Sequence, residues 1–254
     1  MKNHIFILIK KIVNPFIIFI IGIFIVFNIS VIAQNREEPV QNEPGELISK
    51  ISCLEQGKEL YREQKYDEAI EKLEECAELD PDNPEIFFFI AQSYFQQGQS
   101  RSLFSGRKYY KQAYDVSDTA IEKYLLQIEN YPDKDHTNDY LRLAYMYEIR
   151  SIIPGVDEYQ EALDIYQKIL IEKPYLTSPY IHMGWIYYQQ NDYQAAIDIY
   201  LKYLESGAKS DSVYYHLGLS YDKIGEKEKA EYYFQLILEE FPDTEMADRA
   251  KKEL

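Results

Sequence analysis

The stretch Tyr214-x2-Leu217-Gly218-x2-Tyr221, followed by Ala230-x3-Phe234 and Pro242, decides the fold. It reads as one complete helical hairpin: a first helix around Gly218, a second around Ala230, and a proline that cannot continue the second. The same order recurs upstream, and one interval is rigid. Ala69 precedes Pro81 by 12 residues, Ala120 precedes Pro132, and Ala162 precedes Pro174 by the same 12. Ala230 again precedes Pro242 by 12, and only the fourth copy departs, with Ala208 standing 12 after Ala196.

Residue types at the other fixed positions have a packing reason. A small residue at Gly57, Ala91, Ala144, Gly184 and Gly218 lets the first helix of each hairpin approach the second, where Ala69, Ala120, Ala162, Ala196 and Ala230 face it. Four residues on, Leu73, Tyr124, Tyr166, Tyr200 and Phe234 are expected to fill the space between one hairpin and the next. No such hairpin buries its apolar face alone, so stacking must supply the core.

The aromatic, Leu-Gly, Tyr, Ala, Phe and Pro pattern over 34 residues resembles the tetratricopeptide repeat. The resemblance implies an all-α, right-handed solenoid of about five hairpins, near residues 50–83, 84–134, 137–176, 177–210 and 211–244. Repeat one fits worst, with Cys53, Gln56 and Leu60 in its first helix, as an end repeat is expected to. Residues 245–254, with Met246, Ala247, Ala250 and Leu254 at helical spacing, are expected to cap the last hairpin. Asn83-Pro84-Glu85 and Ser178-Pro179 read as helix starts, each an acceptor side chain before a proline. Asp67 and Asp192 stand where second helices should begin.

Two copies carry extra residues. The distance from the small residue to the second-helix Ala is 12 in repeats one, four and five, but 29 in repeat two and 18 in repeat three. Residues 101–116 hold Arg101, Arg107, Lys108 and Lys111 among Phe104, Tyr109, Tyr110 and Tyr114, and should extend that hairpin's helices or add a short one. Residues 151–158 hold Pro154-Gly155 and read as a lengthened loop.

The chain begins differently. Lys2, Lys10 and Lys11 precede an apolar run from Phe16 to Phe27, and Val31-Ile32-Ala33 offers a small residue for cleavage. Residues 1–33 therefore read as a signal peptide or a signal anchor, and membrane attachment through residues 12–33 stays open with that choice. Either reading places the rest outside the cytoplasm: periplasmic, extracellular or membrane-anchored. Residues 34–46, polar and with two prolines, read as a flexible spacer.

Charge and composition narrow the function. The formal charge is −16, and beyond residue 33 there are 24 basic residues against 43 acidic ones. Such a surface repels phosphate backbones, so nucleic acid is not the expected partner. There are only ten glycines, and no Gly-rich phosphate loop, His-Glu-x-x-His site, Gly-x-Ser-x-Gly elbow or Cys-x-x-Cys pair stands in the chain, so neither catalysis nor a cofactor is expected.

The resemblance also places a ligand. In the family the first helices line a concave groove, and counting from the small residues carries its positions onto Phe88, Gln92, Phe95, Arg142, Tyr145, Trp185, Tyr188, Gln189, Tyr215, His216 and Leu219. Aromatic anchors joined by a few polar hooks suit a protein or peptide segment. The implied function is an exported, non-enzymatic scaffold or adaptor, and the closing Phe241-Pro242-Asp243-Thr244 is similar to envelope-assembly repeat proteins. The alternative is capture of a carbohydrate or cell-wall polymer on the same aromatics. The family's carboxylate clamp is incomplete, since repeat one offers Leu54 and Lys58 at its positions. His182 and His216 stand 34 residues apart at the same groove position, which raises a metal or pH-sensing pair. Cys53 and Cys76 fall on facing helices of repeat one, and an exported location permits either a disulfide or two buried thiols. No motif names the partner or the oligomeric state.

Overall fold

A computed structural model describes residues 44–101, 103–153 and 156–254; the expected leader and most of the spacer lie outside them. Among the described residues there are eleven helices and no strand. They are α1 (Pro44–Arg62), α2 (Tyr66–Leu79), α3 (Pro84–Gln99), α4 (Leu103–Asn130), α5 (Thr137–Ser151), α6 (Tyr159–Glu172), α7 (Ser178–Gln189), α8 (Tyr193–Glu205), α9 (Asp211–Lys223), α10 (Lys227–Glu240) and α11 (Glu245–Glu253). The compact unit spans Ser49–Leu254, in which each helix from α2 onward packs on the next in sequence, while Leu73 of α2 fits against Gly57 of α1. First helices of successive hairpins also touch, α3 on α5 and α7 on α9, and this second set of contacts makes the array a solenoid of hairpins.

Local signals explain the boundaries. Asn83 accepts from the Glu85 amide at 3.1 Å with Pro84 at the first helical position, and Asp192 accepts from the Ala195 amide at 3.1 Å. Helices α4, α6 and α10 stop two residues before Pro132, Pro174 and Pro242, as expected of a residue that cannot join the ladder. Where Ala208 replaces that proline, Gly207 (φ +82°) ends α8 instead. The turns inside hairpins need a left-handed residue two places before the second helix, supplied by Gln64 (φ 61°), Asn191 (φ 62°) and Gly225 (φ 86°).

Several expectations change. The helix α1 begins at Pro44, so residues 44–46 belong to a helix rather than to the spacer. Thr177, not Ser178, is the N-cap of α7, and it makes no side-chain cap bond. In the cap α11, Ala247 and Ala250 are fully buried against α9 and α10, while Leu254 is exposed because the helix ends before it.

The residue four after each recurring Ala does more than fill the gap between hairpins. A Cβ on Gly57 would lie 2.5 Å from Leu73, one on Gly184 2.4 Å from Tyr200, and one on Gly218 2.5 Å from Phe234. Each large side chain sits in the notch left by the missing Cβ in its own hairpin. Beyond it the next hairpin closes the core: Ala162, Leu163, Tyr166 and Ile169 of α6 pack between Ala144 of α5 and Met183 and Ile186 of α7.

The insertion in repeat two is helix. Helix α4 runs for 28 residues where α2, α6 and α10 have 14. Its added N-terminal part crosses α3 at glycines: a Cβ on Gly106 would stand 2.6 Å from the Gly98 carbonyl oxygen, and one on Gly98 2.7 Å from the Tyr110 ring. Buried Arg150 ties this extension to repeat three. Its guanidinium donates to Asp118 at 2.5 Å, to the Tyr114 hydroxyl at 2.6 Å and to Glu158 at 2.8 Å. The second insertion connects α5 to α6, and its Pro154 and Gly155 lie outside the described residues. In repeat one the sulfurs of Cys53 and Cys76 are joined in a disulfide.

Candidate functional site

First helices α3, α5, α7 and α9 present one side to a common groove, where a cavity of about 260 Å³ opens. Its walls are Phe95 from α3, Tyr145 and Ile149 from α5, Ile181 and Trp185 from α7, and Tyr200 from α8. Its polar groups are Gln96, Gln99, Glu148, His182, Ser212 and His216. Phe95, Tyr145, Trp185 and His216 of the sequence-derived groove set therefore come together.

The others are placed differently. Phe88 is only 7% exposed and meets Phe89, Tyr124 and Tyr145 edge-on or tilted, so it is a core residue rather than an anchor. Phe95 lines the cavity but is itself only 3% exposed, so it forms part of the cavity's floor. Arg142 is not a free hook: it donates to Glu85 at 2.6 Å, and Lys58 meets the same Glu85 oxygen at 3.1 Å. One glutamate thus neutralises the basic groove positions of repeats one and three. Gln92 is half-buried and Gln189 exposed, and neither lines the cavity. Tyr188 packs on Tyr193 and His216, Tyr215 on Phe234, and Leu219 against the last hairpin's core.

The centre of the site is Glu148, buried on α5. His182 Nδ1–H donates to its Oε2 at 2.9 Å, and the Tyr166 hydroxyl donates to the same oxygen at 3.1 Å. Tyr166 also stacks on the His182 ring, with centroids 5.3 Å apart. Burial works against a charged His182, but the hydrogen bond and charge of Glu148 outweigh it and raise the imidazole's pKa. His216 has no such partner: burial dominates, the Ser212 carbonyl at 2.8 Å offsets it only partly, and its pKa falls. The two histidines line one cavity but have separate hydrogen-bond partners, Glu148 for His182 and the Ser212 carbonyl for His216. Burial, reinforced by Glu148, pushes the Tyr159 hydroxyl up to about 12 and Tyr166 well above its ordinary value. Glu148 is not in the sequence-derived groove set; it stands four residues after Ala144, where repeats two and four carry Phe95 and Tyr188 and repeat five carries Asp222, so an acid among aromatics was a weak signal.

A larger cavity, about 330 Å³, lies away from the groove beside the α4–α5 connection. Two of the three lysines that line it are already engaged, Lys173 with Asp135 at 2.6 Å and Lys168 with the Tyr140 hydroxyl at 2.9 Å. The groove cavity, lined by aromatics from three repeats, is the better candidate for a ligand.

Family models described as TPR repeat and tetratricopeptide repeat match residues 57–98 and 182–244. The chain is a tetratricopeptide-repeat protein. The fold of this TPR protein is similar to that of TTC0263, a thermophilic TPR protein of Thermus thermophilus, at 18% identity and a TM-score of 0.59, covering 80% of this chain and 97% of the other. It is also similar to MamA 41-end from Desulfovibrio magneticus RS-1 (15% identity, TM-score 0.52, 77% and 97% covered). A third similar fold is the C-terminal part of a TPR repeat-containing protein from Cytophaga hutchinsonii (20%, TM-score 0.51, 74% and 65%). No curated protein matches the sequence. TPR arrays are in general non-catalytic scaffolds for protein or peptide partners, and this coarse function follows from the family.

Proposed function

We propose that this TPR protein is an exported, non-enzymatic scaffold or adaptor that holds a segment of a partner protein in the groove of its first helices, in assembly of the cell envelope. The observation that carries this reading is the cavity of about 260 Å³ with Trp185 and Tyr145 on its walls and Phe95 in its floor. Aromatic side chains in a partly desolvated pocket are the residue class that dominates interface energetics. The acidic surface disfavours nucleic acid. Export rests on the basic and then apolar residues 1–33, which also leave membrane attachment as one outcome.

The test is recovery of the tagged full chain from the producing cell's envelope after crosslinking, for the parent and for Trp185→Ala, with the N-terminus determined on the same sample. Export predicts either a new N-terminus near residue 34 or an intact chain in the membrane fraction. The groove reading predicts a crosslinked protein that is lost with Trp185→Ala. A chain found intact in the cytoplasm, or a crosslinked protein indifferent to Trp185, contradicts the corresponding part. A wall glycan as the captured species would instead favour carbohydrate binding.

A further inference from the structure

The groove cavity is aromatic on its walls and acidic on its floor. A carboxylate has roughly four acceptor positions, and both bonds that Glu148 receives, from His182 and Tyr166, fall on Oε2. The residues that reach the cavity from α3 (Phe95, Gln96, Gln99), α8 (Tyr200) and α9 (Ser212) carry no charge at neutral pH. From α5 comes Glu148 with Tyr145, from α7 His182 with Trp185, from α9 His216, and beneath them Tyr166 of α6. Glu148 is thus the one fixed charge facing the cavity, and the imidazole of His182 is its one neighbouring counter-charge.

The volume, about 260 Å³, is below the roughly 300–1,000 Å³ of small-molecule pockets. It suits a single long side chain of a bound peptide. Tryptophan and tyrosine faces attract cations, and the chain's excess of acid draws them from solution. Resting on the groove reading above, we infer that this cavity is a specificity pocket for one lysine or arginine side chain of the partner segment, with Glu148 as its counter-charge and Trp185 and Tyr145 as its walls.

The arrangement couples binding to a proton. Where His182 is protonated, its imidazolium is the counter-charge of Glu148; a ligand cation beside Glu148 repels that imidazolium and favours the neutral ring. Binding then releases a proton from His182, so affinity rises with pH through the titration of that residue and levels off above it. A one-unit change of the His182 pKa between free and occupied states corresponds to about tenfold in affinity. His216 lines the same cavity, but burial lowers its pKa where that of His182 is raised, so it loses its proton at lower pH than His182.

The experiment is selection of short random displayed peptides on the full chain purified in mild detergent, for the parent, Glu148→Gln and His182→Asn, with folding of each checked by circular dichroism. The expected result is a lysine or arginine shared at one position among peptides selected by the parent, and loss of that preference with Glu148→Gln. A selected peptide should bind the parent about tenfold more tightly at about pH 8 than at about pH 5.5, and His182→Asn should flatten the difference. Selected peptides that share only apolar residues, or that keep their basic residue on Glu148→Gln, overturn the cation pocket and leave the groove reading standing. Should Glu148→Gln fail to fold, a pH dependence that persists in His182→Asn overturns the inference alone. Failure of the parent to select any peptide, or peptides that bind Trp185→Ala equally well, overturns both readings.

Discussion

Gly184→Ala tests the packing rule on which the array rests. Two effects oppose each other. Alanine is about 1 kcal/mol better than glycine inside a helix, which favours the variant. The new Cβ, however, would sit 2.4, 2.6 and 2.7 Å from three carbons of the Tyr200 ring, well inside the roughly 3.5–4.0 Å of relaxed carbon contacts. Tyr200 is 1% exposed and cannot swing aside, so α7 and α8 must part or the ring must leave its rotamer. Overpacking of this kind costs about 1–3 kcal/mol. The net expectation is destabilisation by about 1 kcal/mol, read by urea unfolding followed through the emission of Trp185, the neighbouring residue and the chain's only tryptophan. A second background decides the cause. With Tyr200→Ala already in place the ring that the new Cβ would meet is gone, and Gly184→Ala should then stabilise by up to about 1 kcal/mol, a reversal of sign between neighbouring sites. If Gly184→Ala stabilises both backgrounds alike, the notch does not set the spacing of the hairpin and the reasoning fails.

Other outcomes follow from the same geometry. Arg150→Met removes three ties between α4, α5 and the start of α6, and leaves Glu158 without its partner; it should cost about 3 kcal/mol, measured as a drop in unfolding free energy. Gln64→Gly relieves a left-handed turn position that Gly225 occupies in repeat five, and should stabilise by about 1 kcal/mol in the same assay. The stability margin of the parent over His182→Asn should vary with pH. Because the folded-state pKa of His182 is raised, its contribution is full below about pH 6.5 and is lost as pH rises through the folded value, so the margin should be larger at pH 5.5 than at pH 8. His216, whose shift has the opposite sign, is common to both proteins and cancels in the comparison.

How much of this was legible depended on how local each constraint is. The interval of 12 residues between Ala and Pro is the length of most of one helix, so the repeats could be counted from the sequence alone. The partnering of Gly184 with Tyr200 is also periodic, but whether the ring sits inside its own hairpin or between hairpins depends on helix separation, which spacing does not carry. Counting groove positions identifies a face of a helix, not how closely the neighbouring helix approaches it. Phe88 was therefore read as an anchor although it is enclosed by Tyr124 and Tyr145, while Trp185 and Tyr145 do reach the cavity. Glu85, which meets both Lys58 and Arg142, joins three repeats across 84 residues between its two partners. No pattern within one repeat announces it. The Glu148, His182 and Tyr166 cluster is hidden for the same reason, since its members stand in three successive helices.

The most direct test of the central claim compares where on the surface a partner is held. A photo-crosslinking residue would be placed in the producing cell at Gln99 or Ile152, both at the groove cavity, and separately at Ile171, which is 83% exposed on α6 and does not line it. The account predicts a crosslinked protein from Gln99 and Ile152, abolished by Trp185→Ala, and none of that species from Ile171. The same protein captured from Ile171 but not from the cavity positions would contradict it.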